Sequence, residues 1–183
     1  NFDDFDALEA EPEVRLRLVG GPRELGRPDL IILPGTKVTI ADLEHIHRTG
    51  LADGILALAH GGTPIVGICG GYQMLGRRLR DPLGVESTGR EAVGLGLLPV
   101  NTAFSAEKRT RRVRGRIVGC RGILSLAQGQ EVEGYEIHMG HTEGHAEPAV
   151  VLGGECGRTA DYPDGAISEN GLVLGTYLHG LFD

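Results

Sequence analysis

Pro-Ile-Val-Gly-Ile-Cys-Gly-Gly-Tyr-Gln-Met-Leu-Gly, residues 64–76, joins a short apolar run to a segment with helical spacing. The apolar run over 65–68 is typical of a buried parallel strand, and the apolar residues that follow predict a helix over 70–79. Glycines on both sides of Cys69 permit a sharp turn between the two. We therefore predict a strand, a tight turn that presents Cys69, and a helix.

The sequence around this stretch predicts further strands and helices. An apolar run at 30–33 ends at Pro34 and Gly35, and residues 14–19 alternate apolar and basic side chains, which predicts a strand near a sheet edge. Helices are predicted over 40–47 and 51–60, with a break at Gly50. Later strand candidates are 93–104, 113–120, 131–139, 149–152, 166–168 and 172–177. The pattern predicts an α/β fold with an open mixed, largely parallel sheet flanked by helices and antiparallel strands in the second half.

Composition limits the classes of protein to consider. The chain has 183 residues, 30 of them glycine, and a net charge of −7, so we expect one globular domain over residues 1–183 and no nucleic-acid partner. No stretch approaches the roughly 20 apolar residues of a membrane span. The three cysteines form no close pair, which favours a reducing, cytoplasmic location.

Two clusters of charged or polar residues are candidates for a binding role. The basic run comprises Lys108, Arg109, Arg111, Arg112, Arg114 and Arg116. It is interpreted as the solvated face of an edge strand, with contact to another domain or an anionic substrate as the alternative. The spacing of His138, His141 and His145 would suit a metal on a helix, but Gly140 and Gly144 argue against a helix, so no metal is expected.

Four residues carry the predicted chemistry. Cys69 at a strand-to-helix turn is a candidate nucleophile, although a free cysteine is also often a small core residue. The N–H groups of Gly70 and Gly35 are candidate oxyanion donors, with an ordinary turn as the alternative at Gly35. His179 follows a late apolar strand and is a candidate base, or a surface histidine.

The sequence contains, in this order, a strand that ends at Pro34 and Gly35, the stretch around Cys69, and a late strand that ends at His179. This arrangement resembles the class I (triad-type) glutamine amidotransferases. More narrowly, residues 1–8, 33–43, 134–140 and 175–182 are similar to the cobyric acid synthase branch of that family. The resemblance implies a C-terminal glutaminase domain whose partner is an N-terminal synthetase domain that uses ATP and Mg²⁺. It also implies a first sheet strand that precedes Asn1. The implied substrates are glutamine and, through the synthetase domain, the corrinoid adenosylcobyrinic acid a,c-diamide of cobalamin biosynthesis.

The resemblance also implies roles for single residues. Cys69 and His179 are the implied catalytic pair, and Gln73 and Tyr72 lie where the family contacts glutamine, with an exposed helix residue as the alternative for Gln73. His138 and Glu136 lie in a block beside the site and are implied as supporting residues. No cofactor is expected in this domain.

One position departs from the usual pattern. Most triad amidotransferases carry an acid two residues after the base, whereas this chain has Leu181, and the cobyric acid synthase branch is similar in lacking that acid. The group that orients His179 is therefore open: Asp183, Glu136, Glu143 and a backbone carbonyl are the candidates.

Two other functions compete with this one. The first is the glutaminase subunit of a cell-wall lipid amidotransferase, and the second is a non-catalytic docking or regulatory module on the same fold.

Overall fold

The computed structural model describes residues 2–86, 90–154 and 160–182. Its α-helices are α1 (Asp6–Ala10), α2 (Thr39–Arg48), α3 (Leu51–His60) and α4 (Gly70–Leu75). Its strands are β1 (Ile31–Leu33), β2 (Ile65–Ile68), β3 (Arg78–Arg80), β4 (Glu91–Val93), β5 (Val100–Ile117), β6 (Glu131–Gly144), β7 (Val150–Gly154), β8 (Tyr162–Asp164), β9 (Ala166–Ile167), β10 (Val173–Thr176) and β11 (Leu178–His179). Short 3-10 helices span Phe2–Phe5, Pro22–Glu24 and Gly122–Leu124.

Strand β2 lies inside a sheet of order β1-β2-β10-β9. It runs parallel to β1 and β10, and β9 pairs antiparallel with β10. All four residues of β2 are buried. Because successive side chains of a strand point to opposite faces, Ile65 packs in one hydrophobic cluster whereas Val66 and Ile68 pack in the other. The predicted strands at these three parallel positions are confirmed.

The helices α2 and α3 form where the sequence predicts them. Gly50 between them has φ 78°, a left-handed conformation that glycine adopts without steric cost. Helix α4 is shorter than predicted. It ends at Leu75 because the next residues turn into β3, which pairs with β4 and β5, so the predicted helical assignment of 76–79 is wrong. No helix in the described ranges is long and apolar enough to cross a membrane.

A long antiparallel hairpin dominates the second sheet, whose order is β11-β6-β5-β3-β4 with β7 and β8 attached. Strands β5 and β6 pair along most of their length, with an irregularity between Ala103 and Lys108. The predicted antiparallel character of the second half is confirmed. The separate strands predicted at 93–104 and 113–120 are wrong, because 100–117 form one strand of 18 residues.

The basic run lies on β5 and is matched by glutamates on β6. Arg112 and Arg114 pair with Glu133, and Arg116 pairs with Glu131 at 3.7 Å. The predicted solvated face is confirmed here, since these three arginine side chains are at least half exposed. The predicted edge position is wrong for residues 113–116, because β6 and β7 flank β5 on both sides.

Residues 14–19 do not form the predicted strand. Val14 and Leu18 are 43% and 72% exposed. A strand needs a neighbour for its backbone N–H and C=O groups, and the described part of the chain pairs none with this segment. Alternation of side chains alone therefore gave a false prediction.

Candidate active site

Cys69 occupies a strained turn between β2 and α4. Its φ of 53° is the one positive value among the described residues other than glycine. The turn depends on glycine next to it, because a Cβ on Gly71 would stand 1.9 Å from the carbonyl oxygen of Leu33. The N–H of Cys69 donates to the carbonyl of Thr176 at 2.8 Å, which ties the turn to β10. The predicted strand-turn-helix geometry is confirmed, and strain held by the surrounding structure is common at functional sites.

The turn brings together three residues that lie far apart in the sequence. A Cβ on Gly35 would lie 3.1 Å from Cε1 of His179 and 3.5 Å from Cβ of Cys69. His179 reaches this point because β11 pairs with β6 next to the end of β10. The thiol of the half-buried Cys69 lies 3.1 Å from the carbonyl oxygen of Ile137 on β6. The two glycine turns and the late histidine thus converge at one place.

Asp4 is the carboxylate that faces His179. Nδ1 of His179 donates to Oδ2 of Asp4 at 2.8 Å, and the N–H of Gly180 donates to Oδ1 at 3.0 Å. Asp4 is 2% exposed. It stands in the 3-10 helix Phe2–Phe5, 175 residues before the histidine. The carboxylates that the sequence offers as candidates, Asp183, Glu136 and Glu143, do not include Asp4.

The candidate acids Glu136 and Glu143 have other hydrogen-bond or ion-pair partners. Glu136 bonds to other side chains, and Glu143 pairs with His141 at 3.2 Å at the exposed end of β6. Asp183 lies outside the described residues. One feature of the sequence points to the region of Asp4. Acidic residues stand on both sides of Phe5, an apolar residue that is buried in the structure.

The charges of His179 and Asp4 support each other. Burial lowers the pKa of His179, but hydrogen bonds to Asp4 and Cys69 outweigh it and raise that pKa to about 9. Burial also opposes ionisation of Asp4, and the hydrogen bond from His179 outweighs it and lowers the Asp4 pKa. His179 is therefore an imidazolium at neutral pH, the form that stabilises a neighbouring thiolate.

Gln73 is buried behind the nucleophile and hydrogen-bonded within the protein. Its amide nitrogen donates to the carbonyl of Met139 at 3.1 Å and to the Tyr177 hydroxyl at 3.2 Å. Its Oε1 accepts from Thr39 at 3.3 Å. Because Gln73 is 2% exposed, the alternative that it is an exposed residue of the helix is wrong. Contact between Gln73 and substrate stays a prediction.

Tyr72 points into the core. Its ring meets the Tyr177 ring edge-on, with centroids 5.1 Å apart, and a Cβ on Gly175 would stand 1.9 Å from it. Contact between this side chain and substrate likewise stays a prediction.

His138 and Glu136 belong to a buried cluster next to the site. Glu136 accepts hydrogen bonds from Arg111 at 2.5 Å, Tyr162 at 2.6 Å and His138 at 2.8 Å. Burial raises the Glu136 pKa, but these three bonds prevail and lower it to about 2. The ring of His138 stacks on Tyr177 with centroids 3.8 Å apart. The cluster thus packs against the ring of Tyr177, whose hydroxyl contacts Gln73.

The three spaced histidines do not share a helix. His138 and His141 lie on strand β6, and His145 follows that strand. Among the residues that the structure describes, no group of three or more His, Cys, Asp and Glu side chains is arranged to hold a metal ion.

Two solved structures have a fold similar to that of this chain. One structure titled as a glutamine amidotransferase aligns over 100% of this chain and 88% of its own, with TM-score 0.64 and 17% identity. The structure of PurLQS from Thermotoga maritima aligns over 98% of this chain and 82% of its own, with TM-score 0.68 and 20% identity. At such identities the likeness concerns the fold.

The sequence comparison goes further. The family model of the CobB/CobQ-like glutamine amidotransferase domain matches residues 1–183. The chain belongs to this family. Among curated members, the cobyric acid synthase of Desulfitobacterium hafniense is 49% identical over 183 residues, which are 100% of this chain and 35% of the relative. The cobyric acid synthases of Moorella thermoacetica and Yersinia enterocolitica are each 50% identical over 186 residues and are covered to 36%. This CobB/CobQ-like domain thus spans about a third of the length of these relatives.

Proposed function

We propose that residues 1–183 form the C-terminal glutaminase domain of a cobyric acid synthase and belong to a longer protein. It hydrolyses glutamine and supplies ammonia for the ATP-dependent amidation of carboxylates on adenosylcobyrinic acid a,c-diamide. The observation that carries the proposal is the convergence of Asp4, His179 and Cys69 beside Gly35. The choice of acceptor rests on the high identity to cobyric acid synthases along the whole chain.

The proposed reaction uses the groups of the site in turn. The Cys69 thiolate attacks the carboxamide carbon of glutamine, and the N–H groups of Gly35 and Gly70 hold the oxyanion. Gly70 is the first residue of α4, so its N–H has no partner within that helix. The His179 imidazolium protonates the departing nitrogen, which leaves as ammonia. His179 then takes a proton from water, which hydrolyses the γ-glutamyl thioester and releases glutamate and the thiol.

The rest of the reaction belongs to the proposed partner domain. We place ATP, Mg²⁺ and the corrinoid in a synthetase domain, to which the ammonia passes unprotonated. A cytoplasmic location is part of the proposal, because a free catalytic thiol persists in a reducing compartment.

Neither competing function has a specific observation in its favour. A docking module has no need for a buried acid and base beside a half-buried thiol. The three cobyric acid synthases named above match over the whole chain. A cell-wall lipid acceptor finds no support among those relatives.

The test separates the two half-reactions in the full-length protein. Cys69→Ser is expected to abolish glutamine-dependent amidation and labelling by a glutamine-analogue electrophile, while free ammonia still supports amidation. Cys120→Ser, at an exposed cysteine, is the matched control and is expected to change neither activity. Loss of both activities in Cys69→Ser would contradict the proposed division of labour.

A further inference from the structure

The chain passes from one sheet to the other at Tyr177. Strand β10 ends at Thr176 in the sheet that holds β2, and β11 begins at Leu178 in the sheet that holds β6. Tyr177 belongs to neither strand. The carbonyl of Thr176 accepts from the N–H of Cys69, and His179 follows two residues after Tyr177. The conformation of this crossing, residues 176–178, therefore sets the position of His179 relative to Cys69.

The buried carboxylate of Asp164 holds the crossing in place. It accepts from the hydroxyl of Thr176 and from the backbone N–H of Tyr177, whose nitrogen lies 3.2 Å from Oδ2 and 3.3 Å from Oδ1. The Thr176 hydroxyl oxygen in turn accepts from the N–H of Leu178 at 3.0 Å. All three residues of the crossing are thus bonded, directly or through Thr176, to one side chain.

The turn that carries Asp164 is itself fixed against β10. Asp164 is the last residue of β8, and its carbonyl accepts from the N–H of Ala149 at 3.1 Å. Gly165 follows with φ 73°, and a Cβ there would stand 2.2 Å from the carbonyl oxygen of Gly175 on β10. The carboxylate is therefore in position before any substrate binds.

The charge of Asp164 is kept in the interior against the effect of burial. The residue is 6% exposed. Burial raises its pKa to about 6, although the hydrogen bonds from Thr176 and Tyr177 lower it; the charge of Glu136 raises it further and that of His138 lowers it. At neutral pH the group is a carboxylate, which only accepts hydrogen bonds and can take a hydroxyl and an N–H together. A charge held at such a cost calls for a role.

We propose that Asp164 is a positioning residue that aligns His179 with Cys69 for glutamine hydrolysis. The inference rests on the proposed function, which assigns these two residues as base and nucleophile. Asp164 acts through the crossing, since its hydrogen bonds orient the backbone that leads from the partner of the Cys69 N–H to His179. The thiol and the imidazole must meet the same carboxamide, and a displacement of about 1 Å at such a site costs about 100-fold in rate.

A role in stability alone makes a different prediction. If the hydrogen bonds of Asp164 only stabilised the fold, every variant that remains folded would keep the wild-type kcat. Thr176 allows the two roles to be separated because valine matches its shape without the hydroxyl, whereas serine keeps the hydroxyl and loses a buried methyl group. Alignment therefore predicts low activity for valine and high activity for serine, with both proteins folded.

The experiment measures glutamine hydrolysis by the full-length protein, with folding checked by urea unfolding. Asp164→Ala and Thr176→Val are expected to lower kcat by about 10–100-fold, with KM for glutamine changed by less than about twofold. Thr176→Ser should stay within about threefold of the wild-type kcat, since it keeps the hydroxyl. Asp161→Ala removes an exposed acid of the same segment and should change neither constant. Amidation with free ammonia should be the same in all four variants.

A second measurement follows the imidazole of His179. Burial lowers its pKa, but hydrogen bonds to Asp4 and Cys69 raise that pKa to about 9. Misalignment with Cys69 removes one of these bonds, so the pKa of His179 should fall in Asp164→Ala and in Thr176→Val when followed by NMR. Thr176→Ser and Asp161→Ala should keep the wild-type titration.

The inference is overturned if folded Asp164→Ala or Thr176→Val retains the wild-type kcat, or if Thr176→Ser loses as much activity as Thr176→Val. If Asp164→Ala does not fold, the two Thr176 variants decide. Absence of glutamine hydrolysis in the wild-type protein instead overturns the proposed function itself.

Discussion

Asp4 holds both the ring of His179 and the backbone that follows it. Its two oxygens accept from Nδ1 of the ring and from the N–H of Gly180. Nε2 is consequently the ring nitrogen left for reaction with Cys69 and with the departing ammonia. Asp4 is therefore a positioning residue that also stabilises the imidazolium.

Asp4→Asn is expected to lower kcat for glutamine hydrolysis by about 10²–10⁴-fold, because the amide supplies no charge and admits the wrong tautomer of the ring. The pKa of His179, followed by NMR, should fall from about 9 toward its ordinary value. Steady-state kinetics and the titration check the same variant.

The matched control is Asp6→Asn, an exposed acid two residues away in the sequence. It should leave both the rate and the His179 titration as in the wild-type protein. An unchanged rate in Asp4→Asn, with the protein folded, would show that the contact does not serve catalysis.

The sequence predicts the convergence of Cys69, Gly35 and His179 because each follows an apolar strand, and strand ends meet at one edge of a sheet. It does not predict Asp4, because no periodic pattern links two residues 175 positions apart.

At the scale of elements, the turn from β2 into α4 leaves almost no room for side chains. Gly67 and Gly71 lie so close that a Cβ on Gly67 would stand 2.8 Å from the carbonyl of Gly71. Leu33 of β1 packs against the same turn. The three backbone segments can approach only without side chains between them.

Gly71→Ala should lower the free energy of unfolding by about 1–3 kcal/mol, because its Cβ would overlap the Leu33 carbonyl and push β1 away. Urea unfolding of the purified protein measures the change. Gly21→Ala is the control, since an extended backbone with φ −165° and nothing within 4 Å leaves room for a methyl group. Equal stability of the two variants would contradict this account.

The correct and the incorrect strand predictions have a common cause. Short apolar runs beside Pro or Gly, such as 30–33 and 65–68, become strands because burial on both faces leaves few alternatives. The alternating 14–19 segment needs a pairing neighbour that its own residues do not specify. In β5, polar residues between 105 and 112 mask the continuity of one long strand.

At the scale of the molecule, Glu136 joins three parts of the second sheet. It lies on β6 and accepts from Arg111 on β5, Tyr162 on β8 and His138 further along β6. Arg111 also stacks over Tyr162 at 4.5 Å. Loss of this carboxylate leaves three donors without their acceptor.

Glu136→Gln should reduce the free energy of unfolding at pH 7 by about 3 kcal/mol. The folded-state pKa of Glu136 is about 2, below its ordinary value, so the stability it contributes is present above that ordinary value and is lost as pH falls toward 2. Denaturant unfolding should therefore show a smaller gap between wild type and variant at pH 3 than at pH 7. A constant gap, or one that Glu131→Gln reproduces, contradicts the assignment.

The distance along the chain between Asp4 and His179 has a consequence for synthesis. Because a ribosome makes the N-terminal end of a protein first, Asp4 is made before His179, and β1 to β10 are made between them. A nascent chain that ends before β11 holds Asp4 and the cysteine turn but not the base. The hydrogen bond between acid and base, which fixes the ring of His179, can therefore form only after β11 has been made.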